Sequence, residues 1–169
     1  MFDRRRKCSI RKVKKVEEKR VVKYVTDLGA AAFCLMNKHE IGGKKGQAVY
    51  FLMNESELDD FDNLNFEYLS SDFHKFDSCL MSLKKMREHE PNVGEIGEVS
   101  DLGAAAYILM KKKNKVVGRR GQSFFFDLTD TGMNGFQELR LQYLSSEFHR
   151  FDACLMSLKK IGDYVLEGI

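Results

Sequence analysis

The chain contains two stretches of nearly identical sequence, and this internal repetition restricts its architecture more than any other feature. Residues 26–33 (TDLGAAAF) return at 100–107 (SDLGAAAY), and residues 68–77 (YLSSDFHKFD) return at 143–152 (YLSSEFHRFD). The offset is 74 positions at the start and 75 later in the chain. A period this long that occurs only twice predicts a duplicated small domain rather than a solenoid.

The size of one copy indicates that the two copies pack together. A unit of about 65 residues has a marginal core when it folds alone, and two copies in contact bury more apolar surface per residue. We therefore expect a pseudo-two-fold pair, which is the single-chain equivalent of a symmetric dimer. The predicted divisions are a basic flexible arm at 1–20, a first repeat at 21–90 and a second repeat at 91–169.

The composition is that of a soluble globular protein, with 43% hydrophobic and 31% charged residues. No apolar run approaches the roughly 20 residues of a membrane span, and the charged N-terminal segment does not resemble a secretory signal. The four cysteines are far apart and form no CxxC pair, which favours a reduced, intracellular protein without a cysteine metal site. We expect a cytoplasmic location, in the host cytoplasm or nucleoid if the protein is phage-encoded.

Each copy is predicted to fold as β-α-β-β-α-α, so the expected class is α+β. Thr26 and Ser100 precede the apolar helices 28–36 and 102–110 and are the expected N-caps. The glycine-rich stretches 42–47 and 118–122 predict hairpin turns, followed by the aromatic strands 48–53 and 123–128. Two amphipathic helices follow in each copy, and the N-caps expected for the last helices are Ser71 and Ser146.

The repeated motifs resemble a small domain family of unknown function that occurs in bacteria and their phages, usually as a single copy. The resemblance covers the chain from about Tyr24 to Ile161 and implies a fold and a bacterial or phage-like setting, but no chemistry. In the first copy, the matching residues are Asp27, Ala31, Ala32, Phe51, Phe76, Asp77, Leu80, Leu83 and Lys84.

The charge is unevenly distributed along the chain. The formal net charge is +3, but the segment from Met1 to Tyr24 carries about +8, so the remainder carries about −5. A basic arm ahead of a mildly acidic body is typical of proteins that bind nucleic acid. The same arrangement also fits a disordered solubilising tail.

The two hairpins carry the strongest functional signal in the sequence. Lys44-Lys45 and Arg119-Arg120 lie between glycines, where backbone N–H groups can approach a phosphate closely. Aromatic side chains of the adjacent strands are candidates for base stacking: Tyr50, Phe51, Phe125 and Phe126. The alternative is that the turns are merely solvated and the aromatic residues fill the core. Under either interpretation, replacing the four cations should barely change stability.

Other polar residues favour structural roles. His74 and His149 lack a metal-binding partner at helical spacing, and Asp77 and Asp152 are expected to complement a helix dipole. The cluster Asp59, Asp60 and Asp62 has the charge for a divalent cation, but an acidic first helical turn is the preferred interpretation. The sequence has no Walker loop, GxGxxG, HExxH or GxSxG motif, so we expect no enzyme activity, cofactor or metal.

The sequence therefore predicts a non-enzymatic nucleic-acid-binding protein of low sequence selectivity. The alternative is a protein–protein interaction module, such as a phage- or mobile-element-encoded factor that docks on a larger complex. The predicted phosphate-contacting residues are Arg4, Arg5, Arg6, Lys7, Arg11, Lys12, Lys14 and Lys15 in the arm and Lys44, Lys45, Lys111, Lys112, Lys113, Lys115, Arg119 and Arg120 in and beside the hairpins.

Overall fold

A computed structural model describes residues 20–92 and 94–166. Within these ranges the chain forms six α-helices and two antiparallel sheets, one of four strands and one of three. The α+β class is therefore confirmed. The arm residues before Arg20, including the eight predicted phosphate-contacting cations from Arg4 to Lys15, lie outside the described residues.

The order of elements is strand, helix, hairpin and two helices, and this order occurs twice. In the first half the elements are β1 (Arg20–Val25), α1 (Leu28–Met36), β2 (Glu40–Lys45), β3 (Ala48–Asn54), α2 (Leu58–Ser70) and α3 (Asp72–Lys85), with one 3₁₀ turn at Glu55–Glu57. In the second half they are β4 (Ile96–Val99), α4 (Leu102–Met110), β5 (Val116–Arg120), β6 (Ser123–Asp127), α5 (Gly132–Leu144) and α6 (Glu147–Lys160), followed by β7 (Tyr164–Val165).

The hairpin turns are shorter than the sequence predicts. The β2–β3 and β5–β6 connections are the two-residue turns Gly46-Gln47 and Gly121-Gln122, and both glycines have a φ of 59°. A positive φ at the first turn position is a requirement of two-residue hairpins and favours glycine there. The predicted turns at 42–47 and 118–122 were too long, since the four cations belong to the ends of β2 and β5.

The helices begin at side-chain caps. Asp27 Oδ1 accepts a hydrogen bond of 2.7 Å from Ala30 N, and Asp101 Oδ1 accepts one of 2.6 Å from Ala104 N. The N-caps of α1 and α4 are thus these aspartates, one residue beyond the predicted Thr26 and Ser100, because a carboxylate also complements the positive end of the helix dipole. The predicted caps of α3 and α6 are confirmed by hydrogen bonds to Ser71 and Ser146.

The two halves exchange their last helices. The alanine-rich helix α1 is almost fully buried and packs mainly against α6 of the other half, while α4 packs mainly against α3. Small side chains on α1 and α4 permit this close approach, and their alanines at 31, 32, 105 and 106 have no exposed surface. Neither half therefore encloses its own core.

The segments that follow α3 and α6 also cross to the other half. β7 pairs with β2 of the first sheet, and His89 forms an equivalent bridge with Arg119 of β5. Glycine is needed beneath each crossing, because a Cβ at Gly43 would lie 2.6 Å from Tyr164 O and a Cβ at Gly118 would lie 2.9 Å from Pro91 N. The crossings tie each hairpin to the helix end of the other half.

Candidate functional site

The hairpin turns and the start of β1 lie at opposite ends of the first sheet. In the antiparallel register, Val25 pairs with Val49 beside the turn, whereas Arg20 pairs with Asn54 at the far end. These are the first and last of six residue pairs, so five residue steps of roughly 17 Å in total separate them. The described part of the chain therefore begins at the end away from the hairpin cations.

Two of the four hairpin cations bind helix carbonyl groups. Lys44 Nζ donates hydrogen bonds to Leu158 O and Ile161 O, at 3.0 and 3.1 Å, at the end of α6. Arg119 Nη1 donates in the same way at the end of α3, with Met86 O at 2.7 Å and Leu83 O at 3.2 Å.

These bonds engage carbonyl groups at the helix C-termini, where intrahelical donors run out, and place positive charge at the negative end of the helix dipole. Leu83 O also accepts a hydrogen bond from Met86 N. These contacts argue against the expectation that all four cations can be replaced without loss of stability, and for Lys44 and Arg119 we now predict a loss. The chain crossing that brings each helix end to a hairpin is not visible in the local sequence.

The amide groups of the turns are also occupied. Gly46 N donates to Asp163 Oδ1 and Gly121 N donates to Glu88 Oε1, both at 3.1 Å. A carboxylate therefore already fills the position that a phosphate would take on each turn, so the attraction of the hairpins for anions rests on their side chains and not on their backbone.

One end of the molecule carries a concentration of positive charge, which we call the basic end. The carbonyl bonds place the β2–β3 hairpin at the end of α6 and the β5–β6 hairpin at the end of α3. The two helix ends are neighbours, since Lys84 and Lys159 lie close enough to interact. Lys45 and Arg120 are exposed, and Arg120 forms a long, exposed salt bridge of 3.8 Å with Glu90 and lies over the Phe125 ring. The basic end consists of nine cations: Lys44, Lys45, Lys84, Lys85, Arg87, Arg119, Arg120, Lys159 and Lys160.

Five cations of the basic end were not among the predicted site residues: Lys84, Lys85, Arg87, Lys159 and Lys160. A sequence signal for four of them exists. α3 and α6 are identical at eleven of fourteen positions, including the exposed residues of the MSLKK segment that ends both helices. By contrast, residues 58–70 and 133–145 agree at only five of thirteen positions. Exposed side chains that stay the same in both copies point to a shared role.

The lysine cluster after α4 lies at the opposite end. Lys111 Nζ lies 4.9 Å from the centre of the Tyr107 ring and 6.0 Å from that of Phe148, near the start of α6. The rings of Phe73 and Phe148 are 5.0 Å apart, so α3 and α6 begin side by side there and end together at the basic end, roughly 16 Å further along the helices. The structure does not bring Lys111, Lys112, Lys113 and Lys115 together with the hairpin cations.

The surroundings of this second cluster are of mixed charge. A cavity of about 530 Å³ is lined by Lys112 and Lys113 but also by Asp130 and Glu138. These carboxylates reduce the attraction of the cavity for a phosphate. The basic end also carries carboxylates, namely Glu88, Glu90 and Asp163, but its nine cations outnumber them, so it is the better anion-binding surface of the two ends.

The aromatic residues of the strands are not available for base stacking. Phe51 and Phe126 are fully buried, Phe125 is 3% exposed beneath the Arg120 guanidinium, and only Tyr50 is half-buried. The interpretation that these side chains fill the core is the correct one for the three phenylalanines. The exposed rings near the first hairpin are instead tyrosines that the prediction did not include: Tyr24, which pairs with Tyr50 and is 65% exposed, and Tyr164, which pairs with Lys44 and is 43% exposed.

Each half contains a hydrogen bond between a buried tyrosine and a half-buried aspartate. Tyr68 Oη donates to Asp77 Oδ2 at 3.2 Å, and Tyr143 Oη donates to Asp152 Oδ2 at 3.1 Å. Burial raises the pKa of Tyr143 well above its usual range and also raises that of Asp152. Each aspartate is the sixth residue of its helix, which is beyond the first turn. The hydrogen bond to the tyrosine therefore explains these aspartates better than the predicted helix-dipole role does.

The histidines and cysteines have structural surroundings. His74 and His149 pack edge-on against Tyr68 and Tyr143, with ring centres 5.4 and 5.3 Å apart. Burial raises the pKa of the Cys34 thiol to about 12, which keeps it protonated near neutral pH. Within residues 20–92 and 94–166, no three His, Cys, Asp or Glu side chains are grouped so that they could hold a metal ion.

Comparisons with known proteins do not assign the chain to a family. Neither the family models, nor the curated proteins, nor the solved structures gave a match to the chain. The resemblance to a bacterial and phage domain family therefore stays a prediction. None of the helices in the described ranges is long and apolar enough to cross a membrane.

Proposed function

We propose that the chain is a non-enzymatic nucleic-acid-binding protein that contacts the phosphate backbone through its basic end. The observation that carries this proposal is the meeting of nine cations from both halves on one surface. Lys44 and Arg119 bind helix carbonyl groups. The side chains of the other seven cations are exposed and can contact a ligand. Phosphate contacts of this kind supply most of the affinity of non-selective nucleic-acid binding.

The duplication explains why the same cations occur twice. We propose that the two repeats are related by a pseudo-two-fold axis along α3 and α6, with the basic end centred on that axis. Lys84 and Lys159 are equivalent under this relation, as are Lys45 and Arg120. A surface that presents the same charges on both sides of an axis fits a backbone of regularly repeated phosphates.

Sequence selectivity is expected to be low. Reading of bases requires hydrogen-bonding or stacking groups that reach the base edges or faces, and the phenylalanines beside the hairpins are buried. Lysine side chains contact phosphates as flexible point charges. The affinity should therefore depend on salt much more than on nucleotide sequence.

The test compares two variants that lose equal charge at opposite ends. The first replaces Lys45, Lys85, Arg120 and Lys160 with Gln, and the second replaces Lys111, Lys112, Lys113 and Lys115 with Gln. Mobility shifts with single- and double-stranded DNA and RNA are measured across a salt series. With double-stranded DNA, the basic-end variant should flatten the slope of log affinity against log salt by about 0.9 for each phosphate that it no longer neutralises.

The second variant should keep the parent's slope and affinity within about twofold, because its cations lie at the other end of the molecule. Equal losses of affinity in both variants would mean that only net charge matters. Absence of binding by the parent chain at low salt would reject the proposed function.

A protein–protein interaction module is the second candidate function, and one observation favours it. Two apolar pairs stay exposed at equivalent positions of α2 and α5, namely Phe66 and Leu69 at 74% and 59%, and Leu141 and Leu144 at 67% and 60%. Exposed apolar patches often mark protein contacts. Replacing Phe66 and Leu141 with Ser should abolish such an interaction without changing nucleic-acid affinity.

A further inference from the structure

Two tyrosine rings form an open aromatic surface on the outer face of the first sheet. Val25, Val49 and Phe51 are buried, and because side chains alternate along a strand, Tyr24 and Tyr50 lie on the opposite face. The two tyrosines pair across β1 and β3, and their rings are 6.0 Å apart and tilted by 47°. Tyr24 is 65% exposed, so a ligand can reach the pair from solvent.

The equivalent position in the second half is already covered. Phe125 pairs there with Glu98, as Tyr50 pairs with Tyr24. The planar guanidinium of Arg120 lies over the Phe125 ring, 5.4 Å from its centre, and Phe125 is 3% exposed. Within the described part of the chain, no cation lies over Tyr24 or Tyr50. The first half therefore leaves open a surface that carries a planar group in the second half.

The charge beside the two rings selects the kind of ligand. Lys45 is exposed and pairs with Ala48, which precedes Tyr50 by two residues and so lies on the same face, roughly 7 Å along the strand. In the described ranges, no carboxylate forms a salt bridge with Lys45. At the far end of this face, Arg20 and Glu40 balance each other at 3.6 Å. The surface therefore favours a planar ligand that carries negative charge over an arginine side chain of another protein.

We propose that an unpaired base of a single-stranded nucleic acid stacks on Tyr24 and Tyr50 while Lys45 contacts a neighbouring phosphate. Every base has a flat π-face, so such stacking tolerates any sequence. A base inside a duplex is already stacked between its neighbours and cannot take this position. The inference rests on the proposed function and adds to it a preference for single strands.

The experiment places a fluorescent reporter at the stacking position of the full chain. Tyr24→Trp introduces a single tryptophan, since the sequence has none. Phe66→Trp is the matched control, because Phe66 is 74% exposed but lies on α2, which packs against the buried face of the sheet through the rings of Phe51 and Phe61, 5.5 Å apart. Each variant is titrated with a single-stranded oligothymidine and with a duplex of the same length.

We expect the bound single strand to quench the fluorescence of Tyr24→Trp about twofold, because a base stacks on the indole ring. The duplex should leave the fluorescence of Tyr24→Trp unchanged, and neither ligand should affect Phe66→Trp. Unquenched fluorescence of Tyr24→Trp with the single strand bound would overturn the stacking site.

Two further variants measure how much the ring contributes to affinity. Tyr24→Thr removes the ring but keeps a residue that favours strands, and Tyr24→Phe keeps the ring. We expect Tyr24→Thr to lower the affinity for the single strand about tenfold and the affinity for the duplex less than about twofold. The salt slope should not change, because no phosphate contact is lost, and Tyr24→Phe should bind like the parent. A thermal melt shows that each variant is folded, and if Tyr24→Thr is not, the quenching of Tyr24→Trp decides.

The failure of this inference can be distinguished from the failure of the proposed function. Equal losses of single-strand and duplex affinity in Tyr24→Thr, or no loss of either, would overturn the stacking site and leave the proposed function standing. A parent chain that binds neither nucleic acid would reject the proposed function as well. Binding of a tetra-arginine peptide that is lost in Tyr24→Thr, with unchanged oligothymidine affinity, would contradict the inference and assign the surface to a protein partner.

Discussion

Gly29 and Gly103 are the glycines at which the packing leaves least space for a side chain. Each is the second residue of an alanine-rich helix and lies directly against a buried tyrosine hydroxyl. A Cβ at Gly29 would overlap Tyr68 Oη and lie 2.8 Å from Asp77 Oδ2, and Gly103 has the same relation to Tyr143 and Asp152. The absence of a side chain is therefore what allows the tyrosine–aspartate hydrogen bond to form beneath the helix.

Replacement of either glycine with Ala should destabilise the fold. The added methyl group must displace the tyrosine hydroxyl, so we expect a loss of about 1–3 kcal/mol from overpacking. Urea denaturation followed by circular dichroism measures this loss. Gly162→Ala is the control, because a Cβ there has no atom within 4 Å. Equal denaturation midpoints for Gly29→Ala and Gly162→Ala would contradict the proposed overpacking.

Individual elements follow from the sequence more completely than their pairing does. The helices Leu28–Met36 and Leu102–Met110 begin and end at the predicted residues, because capping signals and apolar periodicity are local. The exchange of the last helices cannot be predicted from local signals. The apolar faces of α3 and α6 are nearly identical, so each of them could pack against α1 or α4.

The sequence predicts the hairpin cations in the turns, whereas they lie at the ends of β2 and β5, and the reason is again a contact between distant parts of the chain. Gly42 and Gly43 suggest the start of a turn, but Gly43 serves the close approach of Tyr164 from a distant part of the chain. The hydrogen bonds of Lys44 and Arg119 likewise join residues more than 30 positions apart. Contacts over such separations leave no mark on local periodicity or composition.

The carbonyl bonds of the hairpin cations lead to a prediction about β2 and β5. Lys44→Met and Arg119→Met should each lower the free energy of unfolding by about 1–2 kcal/mol, because helix carbonyls lose a charged donor. Lys45→Met and Arg120→Met are the matched controls, since these neighbouring side chains are exposed and make no such bond to a helix end. Thermal melts measure the difference, and equal stability of the two pairs would show that the carbonyl bonds contribute nothing.

At the scale of the whole molecule, the exchanged helices make the two halves interdependent. α1 is covered by α6 and α4 by α3, and the segments after α3 and α6 pair with the sheet of the other half. The aromatic cluster between α3 and α6 also takes its members from both halves, with the rings of Phe76 and Phe148 5.4 Å apart. One cooperative core follows, rather than two independent domains.

A fragment of residues 20–92 should not fold as a monomer. Its α1 would lack the covering helix, but the α3 of a second copy has nearly the sequence of α6 and can take its place. We expect the fragment to be either unfolded or an exchanged homodimer with a concentration-dependent melting temperature. Sedimentation equilibrium with circular dichroism decides this, and a folded monomer would contradict the interdependence of the halves.

The claim that nucleic acid binds at the basic end is tested most directly by the reactivity of the lysines. The full chain is labelled with an amine-reactive ester, with and without saturating DNA, and each lysine is quantified by mass spectrometry. We predict that bound DNA protects Lys45, Lys84, Lys85 and Lys160 at least threefold and leaves Lys112 and Lys113 unchanged. Protection of Lys112 and Lys113 with continued reactivity at Lys84 and Lys85 would contradict binding at the basic end.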